Sequence, residues 1–361
     1  MVSCRVRHVL SPLHILLLLF CLFPTQSVNI MTEKQLSDKI KTGSLICTFF
    51  VVVRHSLNLH AFGISELDSS LLTFIEYGVS KQTEVAVPFF FVVSGFFFMR
   101  YTYSSKNEYF NMIIKKTKTL FVPFILWNIF GIITLLLTHR FVYENNPFLY
   151  PVQLLHSDWN GVLWYVRDIM TMMLLAPLYT WIFKIDNKLL YLVLFVVLFY
   201  LWLPVDCSWI SSEGMFFFFI GGVLQKQKYL LRHRITNYLF LLLLALWLIS
   251  CFVFPKLWTV HRYNTLLGVV VLWSALDRMP NRLTGYFLGI AHYSFFIYVF
   301  HLYIIKYMKV SLASFFYRSE IVALLSYFFL PIITFSLCVF IAKVWNKFWP
   351  KTFYIFTGGR G

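Results

Sequence analysis

Ionisable side chains interrupt several apolar segments of this sequence. Arg54 and His55 lie side by side in GSLICTFFVVVRHSLNLHAF, and Asn58 follows His55 by three residues, the spacing of one helical face. A charge within hydrocarbon costs about 2.5–3.5 kcal/mol on insertion scales, so such residues are functional candidates by default. An imidazole oriented by a neighbouring amide suits general-base chemistry near neutral pH. His55 is therefore a candidate base, and a structural core histidine is the alternative.

A second pair, Arg167 and Asp168, lies near the start of LWYVRDIMTMMLLAPLY. Because adjacent residues of a helix point apart, we expect each side chain to find its partner on another element. Arg167 could bind a carbonyl or carboxylate group, or it could orient the candidate base His55 on the first apolar segment. A purely structural ion pair between helices is the alternative.

Two further groups of polar residues are functional candidates. Lys115, Lys116 and Lys118 precede an apolar run. They either orient the chain in the membrane or meet the phosphates of a nucleotide-bearing donor such as coenzyme A. Tyr298 and His301 are three residues apart in YSFFIYVFHL, so both can face one side of a helix. They are either pocket residues or an interfacial Tyr/His pair.

The elements that must position these side chains are membrane helices. Of the 361 residues, 59% are hydrophobic and 13% are charged, whereas an ordinary soluble domain carries about 25% charged residues. This composition excludes a soluble single-core protein and indicates a polytopic membrane protein. The formal charge of +16 is spread over short loops, which is typical of orientation in a bilayer and not of a nucleic-acid-binding surface.

Runs of about twenty predominantly apolar residues predict an all-α transmembrane bundle of about ten spans. The predicted spans are 43–62, 84–103, 120–138, 162–183, 188–205, 213–225, 236–254, 263–276, 284–306 and 319–345. The longest predicted outer loops are 63–83 and 139–161. Twenty basic residues then lie inside and seven outside, so the positive-inside rule predicts that both termini are cytoplasmic.

The first thirty residues are treated separately from the spans. Arg5 and Arg7 precede an apolar stretch, which is the layout of a signal peptide. Met31 opens a polar segment ahead of the first span, so residues 1–30 are either a signal-like segment or an extension from an upstream start codon. Residues 31–361 are predicted to form a single membrane domain.

Five motifs, in order along the chain, resemble those of the integral-membrane acyltransferase family three. They are FVVVRHS, FFFVVSGFFF, a basic cluster running into LFVPFILW, LWYVRDIM with a downstream APL, and YSFFIYVFHL. The resemblance covers roughly residues 45–345. It is greatest to the short surface-polysaccharide O-acyltransferases that lack an appended extracytoplasmic esterase domain.

The resemblance implies acyl transfer, commonly of acetyl, from acyl-CoA to a hydroxyl of a surface polysaccharide or lipid-linked glycan. The family's essential histidine maps onto His55. Its basic motif usually contains two arginines three residues apart, and Lys116 and Thr119 occupy those places here. In this sequence, Lys115 and Lys118 would have to supply the missing charge.

Three groups of site residues are therefore expected. His55 is the catalytic base, and Arg54 or Arg167 stabilises the developing charge. The expected donor-binding residues are Lys115, Lys116, Lys118, Ser94 and Gly95. The expected substrate-binding residues are Asn58, Trp164, Asp168, Tyr298 and His301.

The expected partners are the lipid bilayer, acyl-CoA as donor substrate and a glycan or lipid-linked glycan acceptor, without nucleic acid. A homo-oligomer is an open alternative to a monomer. No permanently bound cofactor is expected, and the six cysteines lack metal-ligand spacing, so no metal is expected either. The resemblance implies a multi-pass protein of the bacterial cytoplasmic membrane.

Two other function classes stay open from the sequence. A transporter or flippase of glycan precursors also has many spans and intramembrane Arg, His and Asp residues. Transporter folds often contain inverted repeats, and the sequence shows no matching halves. The second alternative is a non-catalytic membrane partner of a glycan-assembly machine.

Overall fold

The computed structural model describes residues 31–57, 59–65, 69–99, 105–203, 210–232, 234–253 and 258–360. Residues 1–30, with their predicted signal-like segment or upstream extension, lie outside this part of the chain. Over the described residues the protein is helical and contains no strand.

Seventeen α-helices follow one another along the described chain. They are α1 (Glu33–Ser56), α2 (Ser70–Thr83), α3 (Ala86–Phe98), α4 (Lys106–Lys116), α5 (Val122–Leu137), α6 (Leu149–His156), α7 (Trp164–Leu174), α8 (Ala176–Ile185), α9 (Lys188–Trp202), α10 (Ser212–Lys226), α11 (Lys228–Arg232), α12 (Asn237–Val253), α13 (Trp258–Leu276), α14 (Asn281–Ile290), α15 (Ser294–Phe315), α16 (Glu320–Phe348) and α17 (Pro350–Thr357). A π-helical turn, Thr117–Phe121, joins α4 to α5.

The ten predicted spans each overlap at least one observed helix. Three continuous helical stretches are long and apolar enough to cross a membrane: Lys106–Leu137, Asn281–Phe315 and Glu320–Phe348. Gly161–Leu174 and Ala176–Ile185 would make a fourth span with a bend of 59°. The protein is thus an all-α membrane protein, while the total of ten spans and the side of the termini stay predictions.

The first helix differs from its predicted bounds. α1 begins ten residues before the predicted span because Thr32 and Gln35 form a capping box: the Gln35 backbone N–H donates to the Thr32 hydroxyl and the Thr32 N–H to the Gln35 side chain. α1 ends at Ser56. Asn58, expected on the same face as His55, lies outside the described residues.

Both segments predicted as long outer loops contain a helix. α2 lies in the first, where the Ser69 hydroxyl accepts the backbone N–H of Leu72 and caps the helix. α6 lies in the second. A search for runs of about twenty apolar residues excludes such short helices, which is why the sequence did not indicate them.

α1 packs against α3, α15 and α16. The most extensive helix pair is α3 with α10. A Cβ added to Gly95 would lie 2.0 Å from the Phe218 carbonyl oxygen, and one added to Gly221 would lie 2.1 Å from that of Val92. The two backbones therefore touch where both helices carry glycine, as in other close membrane-helix contacts.

A buried ion pair fixes the first half of α1. Lys39 Nζ lies 2.6 Å from Asp277 Oδ1, with side-chain exposures of 5% and 2%. The same ammonium lies 3.9 Å from the centroid of the Trp273 ring. Breaking a buried pair is costly because the remaining charge keeps its desolvation penalty without its partner.

Replacing Asp277 by asparagine should destabilise the protein by about 3–5 kcal/mol, since Lys39 would stay buried without a carboxylate. Thermal unfolding in detergent measures the change. Asp38→Asn, at a half-buried position of α1, is the matched control and should leave the unfolding temperature unchanged. An Asp277→Asn protein as stable as this control would contradict the assignment.

Candidate functional site

A large cavity of about 1300 Å³ lies between α1, α3, α4, α7 and α15. Pockets for drug-sized ligands measure about 300–1000 Å³, so this one can hold an extended molecule. Its polar lining residues include Ser44, Thr48, Ser94, Tyr165 and Tyr298, and its ionisable ones are Glu108, Lys115, Lys116, His292 and Arg360. Phenylalanines of α3 supply much of the apolar wall. The cavity suits a ligand with one charged and one apolar part.

A small pocket of about 320 Å³ lies near the end of α1. It is lined by Arg54, Leu57, Leu59, His60, Glu76, Tyr77 and Ser80. The Glu76 carboxylate accepts a hydrogen bond from the Leu59 backbone N–H at 3.1 Å and another from the Tyr327 hydroxyl. Five of these seven side chains carry polar groups that can bind hydroxyl groups, while most of the exposed lining surface is apolar.

His55 itself lines neither the large cavity nor the small pocket, but other residues of α1 and the residue after it line both. Ser44 and Thr48 line the cavity, while Arg54 and Leu57, on either side of His55, line the pocket. Thr48 follows Ser44 by four residues and His55 follows Thr48 by seven, so all three lie on one face of α1. Along the axis, His55 is about 10 Å beyond Thr48 at 1.5 Å per residue.

His55 and His301 form a pair of imidazole rings, with centroids 5.2 Å apart and planes at 45°. His301 is fully buried, and its Nδ1 lies 2.8 Å from the Tyr298 carbonyl oxygen and 3.1 Å from that of Ile297. Because carbonyl oxygens only accept, these contacts assign the proton to Nδ1. Nε2 of His301 is then an acceptor, and no residue in the described part of the chain donates a hydrogen bond to it.

Two cations flank His55 on the side of the small pocket. Lys309 Nζ donates a hydrogen bond to the Leu57 carbonyl at 2.7 Å. Arg54 Nη2 lies 3.5 Å from Glu84 Oε1. Glu84 accompanies Arg54 and Glu76 lines the same pocket, so a catalytic imidazole here would have both positive and negative side chains around it.

Residues 45–357 match a family model described as an acyltransferase domain. The chain belongs to this acyltransferase family. The match confirms the resemblance to acyltransferase family three, and it includes both His55 and His301. No curated protein and no solved structure matches the chain significantly.

In this acyltransferase the Arg167 and Asp168 side chains bind each other, so the expectation that they point apart is wrong. Arg167 Nε donates to Asp168 Oδ1 at 2.9 Å, and Nη1 donates to the Leu155 carbonyl at 3.3 Å. Asp168 is fully buried and also accepts the Ser211 backbone N–H at 3.0 Å. Long side chains can reach each other from adjacent positions when burial penalises two separate charges. The pair joins α7 to neighbouring segments and does not line the cavity.

The expected donor-binding residues separate into two sets. Lys115, Lys116 and Ser94 line the large cavity, where the Ser94 hydroxyl lies 2.9 Å from the Tyr165 hydroxyl. Lys118 is exposed on the π-helical turn and does not line the cavity. Gly95 faces α10 instead of the cavity, so its role in the fold is close packing of two helices.

The expected substrate-binding residues are also divided. Tyr298 lines the cavity and its hydroxyl donates to the Val162 carbonyl, and His301 is the partner of His55. Trp164 packs against Phe91, with ring centroids 6.3 Å apart, and is not a lining residue.

Four residues near the site were not predicted from the sequence: Tyr165, His292, Lys309 and Arg360. Tyr165 directly follows Trp164, which belongs to the motif LWYVRDIM and was expected to bind substrate. The recurrence of Ser44, Thr48 and His55 on one face could have indicated a cavity along α1. No local signal marked Arg360, because only the tertiary fold brings it to α4.

Gly95→Ala should lower stability by about 1–3 kcal/mol, because its methyl group would overlap the Phe218 carbonyl and push α3 from α10. The melting temperature of the purified protein measures this loss. Gly285→Ala is the matched control, since nothing lies within 4 Å of a Cβ at that position. Equal melting temperatures for both variants would refute the close contact.

Proposed function

We propose that this acyltransferase is an O-acetyltransferase that moves the acetyl group of acetyl-CoA to a hydroxyl of a surface polysaccharide or lipid-linked glycan. The observation that carries the proposal is the His55–His301 pair, with His55 placed along the chain between Thr48, which lines the large cavity, and Leu57, which lines the small pocket. Acyl transfer requires the acceptor hydroxyl, the base and the thioester carbon to meet at one place. Family membership supports the acyl transfer, and the two cavities support the choice of reactants.

The large cavity supports an acyl-CoA donor. Its α4 end carries Lys115 and Lys116, and its apolar wall continues toward Tyr298, one helical turn before His301. Phosphates would meet the lysines, while the uncharged arm and thioester would extend along the apolar wall. The predicted orientation puts this entrance on the cytoplasmic side, where acyl-CoA is made.

The small pocket supports a sugar acceptor from the opposite side. Arg54, His60, Glu76 and Ser80 offer donors and acceptors for hydroxyl groups. Its position beyond His55, at the outer end of α1 in the predicted orientation, fits a glycan handled outside the cytoplasm.

The proposed chemistry is direct transfer. The acceptor hydroxyl oxygen attacks the thioester carbonyl carbon, and its proton passes to His55. The carbon–sulfur bond breaks, and the coenzyme A thiolate leaves with a proton returned from the imidazolium. Nε2 of His301, as an acceptor, can stabilise the protonated His55 ring, and Arg54 is placed to stabilise negative charge near the pocket. Apolar walls exclude water, which would otherwise hydrolyse the thioester.

His55→Gln should reduce acyl transfer by about 100- to 10 000-fold, the usual contribution of a general base. The assay incubates membranes that contain the native glycan with radiolabelled acetyl-CoA and measures covalent label in the glycan. His139→Asn, at an exposed position, should transfer normally.

A folded His55→Gln protein that transfers at the normal rate would refute the role of His55. Uptake of label without covalent incorporation would instead favour the transporter class. Mass spectrometry of surface glycans from cells with and without the protein identifies donor group and acceptor together, because one acyl mass distinguishes the two samples.

A further inference from the structure

The segment that follows α16 returns to the large cavity. α17 buries Phe353 completely, and Trp127 Nε1 donates a hydrogen bond to the Phe356 carbonyl at 3.0 Å. Trp345 Nε1 donates to the Thr352 hydroxyl at 2.9 Å. These contacts dock α17 against α5 and α16, which fixes the position of the residues after it.

Two glycines turn the chain at the end of α17. Gly358 has φ of +61° and Gly359 has φ of +78°, in the region that favours glycine. The Gly359 N–H donates to the Tyr354 carbonyl at 2.8 Å. A Cβ on Gly358 would lie 2.1 Å from the Thr119 carbonyl oxygen. The turn is thus built against the π-helical turn, and it brings Arg360 to the cavity.

Arg360 lines the cavity, and within the described part of the protein one of its guanidinium nitrogens makes no hydrogen bond. The guanidinium carbon lies 4.5 Å from the centroid of the Phe295 ring. Nη1 is shielded from solvent and has no hydrogen-bond partner among the described residues. Burial lowers the pKa of this guanidinium, as desolvation disfavours the charged form. A shielded donor of this kind is stabilised when a ligand supplies an acceptor.

The charges around Arg360 favour an anion. Lys115 and Lys116 line the same cavity, and Lys116 is close enough to Arg360 for the two charges to interact. Glu108 is the one carboxylic acid among the described lining residues, and the other titratable groups there besides the three cations are His292, Tyr165 and Tyr298. Three cations against one carboxylate leave the α4 end of the cavity positive.

A guanidinium differs from the two ammonium groups in what it can recognise. Its planar fork can donate two parallel hydrogen bonds to a phosphate, whereas lysine acts as a point charge. Arg360 lies beyond residues 45–357, which carry the family match. Arg360 is therefore a contribution to the cavity that the family match does not cover.

We propose that Arg360, presented by the Gly358–Gly359 turn, binds a phosphate of the acyl donor and so makes this protein select a phosphorylated donor. The proposal rests on the proposed function, because it assumes that acyl-CoA occupies the large cavity. Lys115 and Lys116 attract the anionic part of the donor, and Arg360 fixes it by directed hydrogen bonds.

The experiment compares coenzyme A with pantetheine, which has the same thiol arm without the nucleotide or any phosphate. The full-length protein is placed in phosphatidylcholine nanodiscs, and equilibrium binding of radiolabelled coenzyme A is measured with pantetheine as competitor. Arg360→Gln should weaken coenzyme A binding about 10- to 100-fold, the range for a hydrogen bond to a charged group. Pantetheine binding should not change.

Two further variants sharpen the comparison. Arg360→Lys keeps the charge without the fork and should lose less coenzyme A affinity than Arg360→Gln. It also tests the proposal if the glutamine variant does not fold. Lys351→Gln, at an exposed position of α17, is the matched control and should bind both ligands normally.

The outcomes separate this inference from the proposed function. Unchanged coenzyme A affinity in folded Arg360→Gln overturns the role of Arg360 and leaves the proposed function standing. Equal losses for coenzyme A and pantetheine assign Arg360 a structural role and also overturn the inference. Failure of the unsubstituted protein to bind coenzyme A overturns the donor of the proposed function itself.

Discussion

The cost of placing an ionisable side chain among apolar helices governs this structure. Such a group is tolerated where it is paired, where water reaches it or where a ligand can meet it. Lys39 with Asp277 and Arg167 with Asp168 take the first solution, and both pairs hold segments together. Lys116 and Arg360 line a cavity instead. The distribution of charge thus separates the residues that stabilise the bundle from those available for chemistry.

The large cavity exists because the helices pack closely in one place and leave space in another. α3 and α10 touch backbone to backbone at their glycines, so no ligand can pass between them. Elsewhere α3 borders the large cavity together with α1 and α15, and serine, threonine and tyrosine side chains there add polar groups to a mainly apolar lining. α1 continues from that cavity to the small pocket, and His55 lies on it between Thr48, which lines the cavity, and Leu57, which lines the pocket.

Hydrophobicity made much of the fold predictable. Each predicted span overlaps a helix because a long apolar run has no other stable form within a membrane. His55 was identifiable for the same reason, as an imidazole in a segment that would otherwise be apolar. The short helices α2 and α6 were missed since their length falls below that of a span. The pairing of Arg167 with Asp168 was missed because a rule about backbone spacing ignores the reach of a long side chain.

The sequence by itself determined the helical class, the family and the segment that carries the candidate base, since these depend on residue type and order. The tertiary structure decided which polar residues share a cavity. His301 is 246 residues from His55 and Arg360 is 244 residues from Lys116, and no local periodicity relates positions so far apart. Their proximity follows from the packing of α15 on α1 and the docking of α17 on α5, which is a property of three-dimensional contacts.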